Sequence, residues 1–179
     1  MTYTPQDGDN TIWSDPAWIQ HTQMLLNSFR HWLGRELLER SGDAMNESRM
    51  LYEAPFVVVS HGTQSDPVLN YGNRAALKLW ETDLRTFLQM PSRLTAEPMH
   101  RDERAQLLER TTRNGFVDDY RGVRISSTGC RFLIEQAIVW NLRGQGGQFA
   151  GQAATFSAWQ VVDSGSQLNQ HPGKEDLIQ

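Results

Sequence analysis

Apolar residues recur at helical spacing near the start of the chain. Between Asp15 and Ser41 they fall three and four positions apart, which predicts an amphipathic helix over residues 15–41. Asp15 suits the N-cap, Pro16 suits the first helical position, and Gly42 follows the last turn. The apolar stripe of this helix consists of Trp18, Leu25, Leu26, Phe29, Trp32, Leu33 and Leu37.

The pattern then becomes that of β-strands. Residues 55–61 are rich in β-branched and aromatic side chains, residues 62–67 have the composition of a turn, and residues 68–71 form a second short run. Asn73 follows where a helix N-cap belongs. Because the first run does not alternate, we expect both of its faces to be covered. One cover would be the N-terminal helix of the same chain or of a neighbouring molecule.

The second half of the chain begins with a helical pattern and ends with three β patterns. Residues 99–113 predict a helix, with Arg104 expected to face water. Its inward residues would be Ala105, Leu107, Leu108 and Thr111. Tight turns then separate three predicted strands of an antiparallel meander, at residues 116–126, 131–141 and 148–160.

Composition and charge exclude some classes of protein. The 179 residues carry a formal net charge of -4, with arginine and lysine spread out, so we expect no nucleic-acid or membrane surface. No apolar run approaches the roughly 20 residues that span a bilayer. The first ten residues lack the features of a signal peptide. Since the single cysteine, Cys130, cannot form an internal disulfide, the expected location is the cytoplasm.

Several stretches, in order, resemble the MEKHLA family of PAS-like domains. They are LYEAPFVVVSHG, PVLNYGNRAALKLWE, MPSRLTAEPM, GFVDDYRGVRISSTG and RFLIEQAIVWNL. The likeness covers most of residues 24–159. Members of the family occur as small bacterial proteins and at the C-terminus of plant homeodomain–leucine-zipper regulators. The resemblance implies sensing or protein interaction and no defined chemistry.

The resemblance and the order of elements together give the expected architecture. It is an α+β fold with a PAS-like five-stranded antiparallel sheet, short helices on one face and a long N-terminal helix. The expected division is a flexible arm at 1–14, the amphipathic helix at 15–41, a connector at 42–50, a PAS-like domain at 51–161 and a disordered tail at 162–179.

A ligand pocket is expected between the sheet and the short helices. Simple alternation along residues 131–141 turns Gln136 inward and Glu135 outward. An inward Gln136 needs a hydrogen-bond partner, which a ligand, a water or a helix end can supply. An ordinary filled core is the alternative. The candidate pocket residues are Trp80, Phe87, Met90, Met99, Tyr120, Phe132, Ile134, Gln136 and Trp140.

Cofactor and metal signals are weak. Cys130 lies in a stretch that resembles the cysteine motif of LOV photoreceptors, but it opens a strand, whereas that cysteine lies on a helix; flavin is therefore not expected. His100 is the only reasonable haem ligand, and haem is not expected either. His21 and His31 are too far apart for a helical metal pair, so no metal site is predicted.

These observations favour a non-catalytic sensor or protein-interaction module. A small molecule could bind between sheet and helices, and a homodimer or partner contact through residues 15–40 could pass the signal on. The candidate interface residues are Trp18, Leu25, Phe29 and Trp32. Alternatively, this helix covers its own domain. The competing functions are a small enzyme that uses His61 or His100 with a carboxylate in the same cavity, and a ligand-free structural adaptor.

Overall fold

The computed structural model describes residues 11–162, except for the side chain of Met99. Residues 1–10 of the predicted arm and 163–179 of the predicted tail lie outside this range. Single 3₁₀ turns occupy Ile12–Ser14, Ser92–Thr95 and Pro98–His100. The helices are α1 (Pro16–Leu33), α2 (Ala44–Glu53), α3 (Arg74–Leu79), α4 (Leu84–Phe87) and α5 (Arg101–Asn114). The strands are β1 (Val57–His61), β2 (Leu69–Gly72), β3 (Phe116–Ile125), β4 (Arg131–Arg143), β5 (Phe149–Phe156) and β6 (Ala158–Val161).

The strands form one antiparallel sheet in the order β2-β1-β5-β4-β3. β6 follows β5 after the single residue Ser157 and also pairs with β4, so it continues the line of β5. The sheet therefore has five positions. This arrangement confirms the expected PAS-like α+β fold.

A bulge in β4 reverses the alternation of its side chains. Ile134 pairs with Gly122 and Ala137 pairs with Tyr120, so two residues of β4 oppose one residue of β3. Gln136, within the bulge, has a φ of 52° and is exposed. Before the bulge, the even-numbered residues of β4 point to the inner face of the sheet. Beyond the bulge, the odd-numbered residues point to that face. The prediction that Gln136 points into the core is therefore wrong.

The sheet is covered on both faces. Val139 lies on the inner face, toward α3, α4 and α5, whereas the next residue, Trp140, packs edge-on against Phe29 of α1 at 5.0 Å between ring centroids. Because neighbouring strand residues point to opposite faces, α1 covers the outer face. The helix that covers the outer face of the sheet thus comes from the same chain.

The first helix is shorter than the predicted span of residues 15–41. It begins as expected, because the Asp15 carboxylate accepts hydrogen bonds from the backbone N–H groups of Ala17 and Trp18. It ends at Leu33, because Gly34 adopts a left-handed φ of 67° and its N–H bonds to the Arg30 carbonyl. A glycine that ends a helix in this way is the physical reason for the early stop.

Residues 42–50 were predicted as a connector, but they contain most of α2. Asp43 caps this helix by accepting from the N–H groups of Met45 and Asn46. Its inward face is partly polar: buried Glu47 accepts from Gln23 of α1 and from Arg40. The polar composition of residues 42–50 did not indicate a helix, because the inward face of α2 makes polar contacts with α1 in place of apolar ones.

The residues predicted to form an interface lie in the core of the chain itself. Trp18, Leu25 and Phe29 are buried, and the Trp32 indole Nε1 donates to the Asn141 carbonyl at 2.9 Å. A dimer contact through the three buried side chains would require the core to open. The structure therefore corrects this prediction: the stripe on α1 packs against its own sheet.

Asn73 joins three elements through one buried side chain. Its Oδ1 accepts from Ala76 N–H, as an N-cap of α3, and from Val58 N–H of β1. Its Nδ2 donates to the carbonyls of Leu51 and Phe56. Asn73 thus acts both as a cap and as a link between α3 and the neighbouring strand.

Candidate functional site

A cavity of about 70 Å³ lies between the inner face of the sheet and the helices. Much of its wall is apolar, formed by Leu69, Phe87, Leu107, Ile134, Val139 and Phe156. At roughly 15 Å³ for each water position, the space corresponds to about five water molecules or a similar number of ligand atoms. It is far smaller than the several hundred Å³ typical of drug-sized sites.

Four of the predicted pocket residues line this cavity: Trp80, Phe87, Tyr120 and Ile134. Phe132 packs edge-on against the Trp80 ring at 5.2 Å and is fully buried. Met90 is partly buried against the core but does not line the cavity, and the side chain of Met99 is outside the described part of the chain.

Because of the bulge, the two remaining predicted pocket residues do not line the cavity. Gln136 is exposed, and Trp140 lies on the outer face against α1. Ala137 and Val139 take their place on the cavity wall. Strand alternation therefore predicts the wall correctly up to Ile134 and incorrectly beyond it.

Two buried arginines also line the cavity. Arg104 of α5 is 9% exposed and Arg124 of β3 is 7% exposed. Arg104 donates to the Ser92 hydroxyl at 2.7 Å, and Arg124 donates to the Val123 carbonyl at 2.9 Å and stands over the Tyr120 ring. Within residues 11–162, no carboxylate oxygen lies within 4.0 Å of either guanidinium. Buried charges are usually paired, so this arrangement is unusual.

Arg104 is cationic at neutral pH. Burial, and then the charge of Arg124, lower the pKa of Arg104 to about 10. That value is still well above neutrality. The prediction that Arg104 faces water is wrong, and so is the inward position of Ala105, which is exposed. Arg104, Leu107, Leu108 and Thr111 occupy helical spacing, so the sequence contained a signal for an inward Arg104.

Buried polar atoms without a hydrogen-bond partner in the described residues include three on cavity-lining residues. They are His61 Nε2, Tyr120 Oη and Trp80 Nε1. Burial raises the pKa of Tyr120, so its hydroxyl remains a donor at neutral pH. The cavity therefore offers hydrogen-bonding groups that the described protein atoms leave unused.

His61, which lines the cavity, has a ring nitrogen that can accept a hydrogen bond. Its Nδ1 lies 2.9 Å from the Gly62 carbonyl, which can only accept, so the ring proton belongs on Nδ1 and Nε2 is unprotonated. Burial lowers the pKa of His61; the Gly62 carbonyl opposes this shift and the Arg104 charge adds to it. The imidazole is therefore neutral at pH 7.

The other chemistry-bearing residues lie away from this site. His100 is 3.6 Å from the Glu103 carboxylate and does not line the cavity. Cys130 is a partly buried free thiol at the start of β4, also outside the cavity wall. In the described range, no three His, Cys, Asp or Glu side chains are grouped to hold a metal ion. No helix between residues 11 and 162 has the length and apolar character to cross a bilayer.

Comparison with known proteins agrees with this fold. The model of the MEKHLA domain matches residues 19–161. The homeobox-leucine zipper protein HOX10 of Oryza sativa is 25% identical over 157 residues. That alignment covers 87% of this chain but only 19% of the plant protein, so the chain spans about a fifth of this relative.

Two solved structures have the same fold. One is the PAS domain of a protein from Colwellia psychrerythraea, with a TM-score of 0.53 and 12% identity over 65% of this chain and 94% of that one. The other is an RNA-binding light-oxygen-voltage receptor, with a TM-score of 0.53 and 17% identity over 68% of this chain and 36% of that one. At these identities the likeness concerns the fold alone.

Proposed function

This chain belongs to the MEKHLA domain family, and on that premise we propose that it is a non-catalytic sensor domain that binds a small organic molecule in the inner cavity. One observation carries the proposal. His61, Tyr120 and Trp80 line the same cavity as two buried arginines, and each has a buried polar atom without a hydrogen-bond partner among the described residues. A ligand-free adaptor with a filled core would have no use for this set, since buried polar groups without partners lower stability.

Light sensing through a flavin does not fit these residues. The cavity of about 70 Å³ is too small for a flavin ring system, and Cys130 lies outside its wall. We therefore do not extend the light-oxygen-voltage function of the structural neighbour to this chain. The absence of nucleic-acid binding and a cytoplasmic location remain predictions from charge and cysteine content.

We place the path of the signal in β4. Val139 borders the cavity on one face, and Trp140, the next residue, packs against Phe29 of α1 on the other. A ligand that shifts the inner face would change the packing of α1, a shift in the population of two arrangements. A second copy or a partner protein would then read the outward side of residues 15–40, where Gln20, Asn27 and His31 are exposed.

A small enzyme using the same cavity is the second candidate. Among the described residues of the wall, the neutral His61, with its unpartnered Nε2, is the group that can accept a proton. However, none of the described residues lining the cavity is a carboxylate. The wall thus lacks the acid that His61 would need as a partner, and we rank this candidate below the sensor.

Mass spectrometry of a denatured extract tests the sensor proposal. Ala137 is 2% exposed and lines the cavity, so Ala137→Leu should fill the space without changing the charge. The same substitution at exposed Ala105 is the matched control. We expect a small organic molecule from the wild type and from Ala105→Leu, and none from Ala137→Leu. Identical extracts from all three proteins would contradict the proposal.

A further inference from the structure

The cavity wall combines positive charge, one hydrogen-bond acceptor and apolar surface. If the proposed function holds, this combination specifies a class of ligand. The cations of the wall are Arg104 and Arg124, each more than nine-tenths buried and without a carboxylate partner in the described chain. Among the described residues of the wall, the aromatic nitrogen that can accept a hydrogen bond is His61 Nε2, and much of the rest of the wall is apolar. A ligand that satisfies these groups must bring a negative charge and a hydrogen-bond donor, together with oxygen atoms that can accept from Tyr120 Oη and Trp80 Nε1.

We propose that the cavity binds a small hydroxycarboxylate, with its carboxylate held by Arg104 and Arg124 and its hydroxyl donating to His61 Nε2. The planar guanidinium group suits a carboxylate because two parallel N–H groups match its two oxygens. A hydroxyl supplies the hydrogen that Nε2 lacks. This inference rests on the proposed function, because it names the ligand of the same cavity.

The size of the cavity narrows the class further. A volume of about 70 Å³ corresponds to about five ligand heavy atoms at roughly 15 Å³ for each water-sized position. Lactate, with a carboxylate, one hydroxyl and one methyl group, is close to this size and serves as the probe. Larger acids and nucleotides would require the wall to move. The methyl group would contact apolar wall residues such as Leu107 and Ile134.

Matched probes separate the two polar contacts. Lactamide keeps the hydroxyl but lacks the charge, and propionate keeps the charge but lacks the hydroxyl. Calorimetric titration of the full chain at constant ionic strength should give lactate at least tenfold tighter binding than either analogue. Equal affinity for lactamide would overturn the carboxylate contact, and equal affinity for propionate would overturn the His61 contact.

Single substitutions test which residue causes the preference for lactate over each analogue. Arg104→Met should abolish the preference for lactate over lactamide, and Arg104→Lys should keep part of it because the charge remains. His61→Phe should abolish the preference for lactate over propionate. Arg110→Met, on the exposed side of the same helix, should change neither preference. Arg124→Met should likewise abolish the preference for lactate over lactamide, which gives a second test of the carboxylate contact.

Stability without ligand distinguishes a binding role from a structural one. Because burying a charge without a carboxylate partner lowers stability, Arg104→Met should not lower the melting temperature of the ligand-free protein. A clear decrease would assign Arg104 to the fold and overturn the inference.

Failure of this inference and failure of the proposed function give different results. If lactate does not bind but the wild-type extract contains another molecule that Ala137→Leu lacks, the ligand class is wrong and the sensor proposal stands. If lactate does not bind and no extract contains a molecule, both are overturned.

Discussion

Single polar side chains account for much of the specificity of this fold, and Asn73 is the clearest case. It makes four hydrogen bonds, to α2, α3, β1 and the residue before β1, while fully buried. Asp83 caps α4 in a more exposed position. We expect Asn73→Ala to lower the free energy of unfolding by about 3 kcal/mol and Asp83→Ala by about 1 kcal/mol in urea denaturation. Equal losses would show that Asn73 is only a cap.

His21 couples stability to pH at the outer face of the sheet. Ser60 Oγ donates to Asn70, so His21 Nε2 donates to Ser60 Oγ at 2.8 Å. Burial lowers the pKa of His21 from 6.5 to about 4. Between these values the unfolded state binds more protons than the folded state. Stability is therefore fully present above pH 6.5 and is lost as the pH falls toward 4.

The measurement is urea denaturation at pH 7 and pH 5. The wild type should lose about 2 kcal/mol more than His21→Gln between these two pH values, because glutamine keeps a donor for Ser60 but does not titrate. His31→Gln, at an exposed position on the same helix, should lose as much as the wild type. If His21→Gln follows the wild type as well, His21 is not the cause.

At the scale of elements, the bulge in β4 decides which residues meet the cavity. Gln136 has a φ of 52°, a conformation that glycine adopts easily and β-branched residues adopt at high cost. We expect Gln136→Gly to leave the free energy of unfolding unchanged or raise it by up to about 1 kcal/mol, and Gln136→Val to lower it by more than 1 kcal/mol. The opposite order would indicate regular strand geometry without a bulge.

Helix α1 is the element whose role the sequence left open between self-cover and dimer interface. Phe29 is fully buried against Trp140 of the same chain. Phe29→Ala should therefore lower the free energy of unfolding by about 3 to 5 kcal/mol. The loss should be equal at two widely separated protein concentrations, because it involves one chain. A loss that shrinks on dilution would restore the interface role of this stripe, because a dimer contact stabilises the wild type less at low concentration.

The sequence predicted the elements whose inward faces are apolar and missed those whose inward faces are polar. The helical spacing of Trp18, Leu25 and Phe29 predicted α1 correctly, because the buried face of a helix carries apolar side chains at that spacing. Helix α2 was missed, since its inward Glu47 and Ser48 bond to α1 and read as a connector. The bulge at Gln136 was missed because no glycine marks it.

For the whole molecule, the same difference between apolar and polar inward faces explains why the fold was more predictable than the site. The order of strands and helices follows from turns, caps and apolar runs, so the PAS-like sheet was predictable. The wall of the cavity was predictable where it is aromatic, at Trp80, Phe87 and Tyr120. Arg104 was not predicted as a cavity residue. Its position along the helix indicates an inward side chain, but its charge predicts exposure, because an arginine is rarely buried unless it is paired.

A nuclear magnetic resonance titration of the full chain tests the central claim most directly. A library of small polar organic molecules, hydroxycarboxylates included, would be added to labelled wild type and to Ala137→Leu. The account predicts that at least one compound shifts the amide signals of the cavity strands β3, β4 and β5, and then those of α1 across the sheet. These shifts should be absent in Ala137→Leu. Shifts that persist in this variant, or no shifts in the cavity strands with any compound, would contradict it.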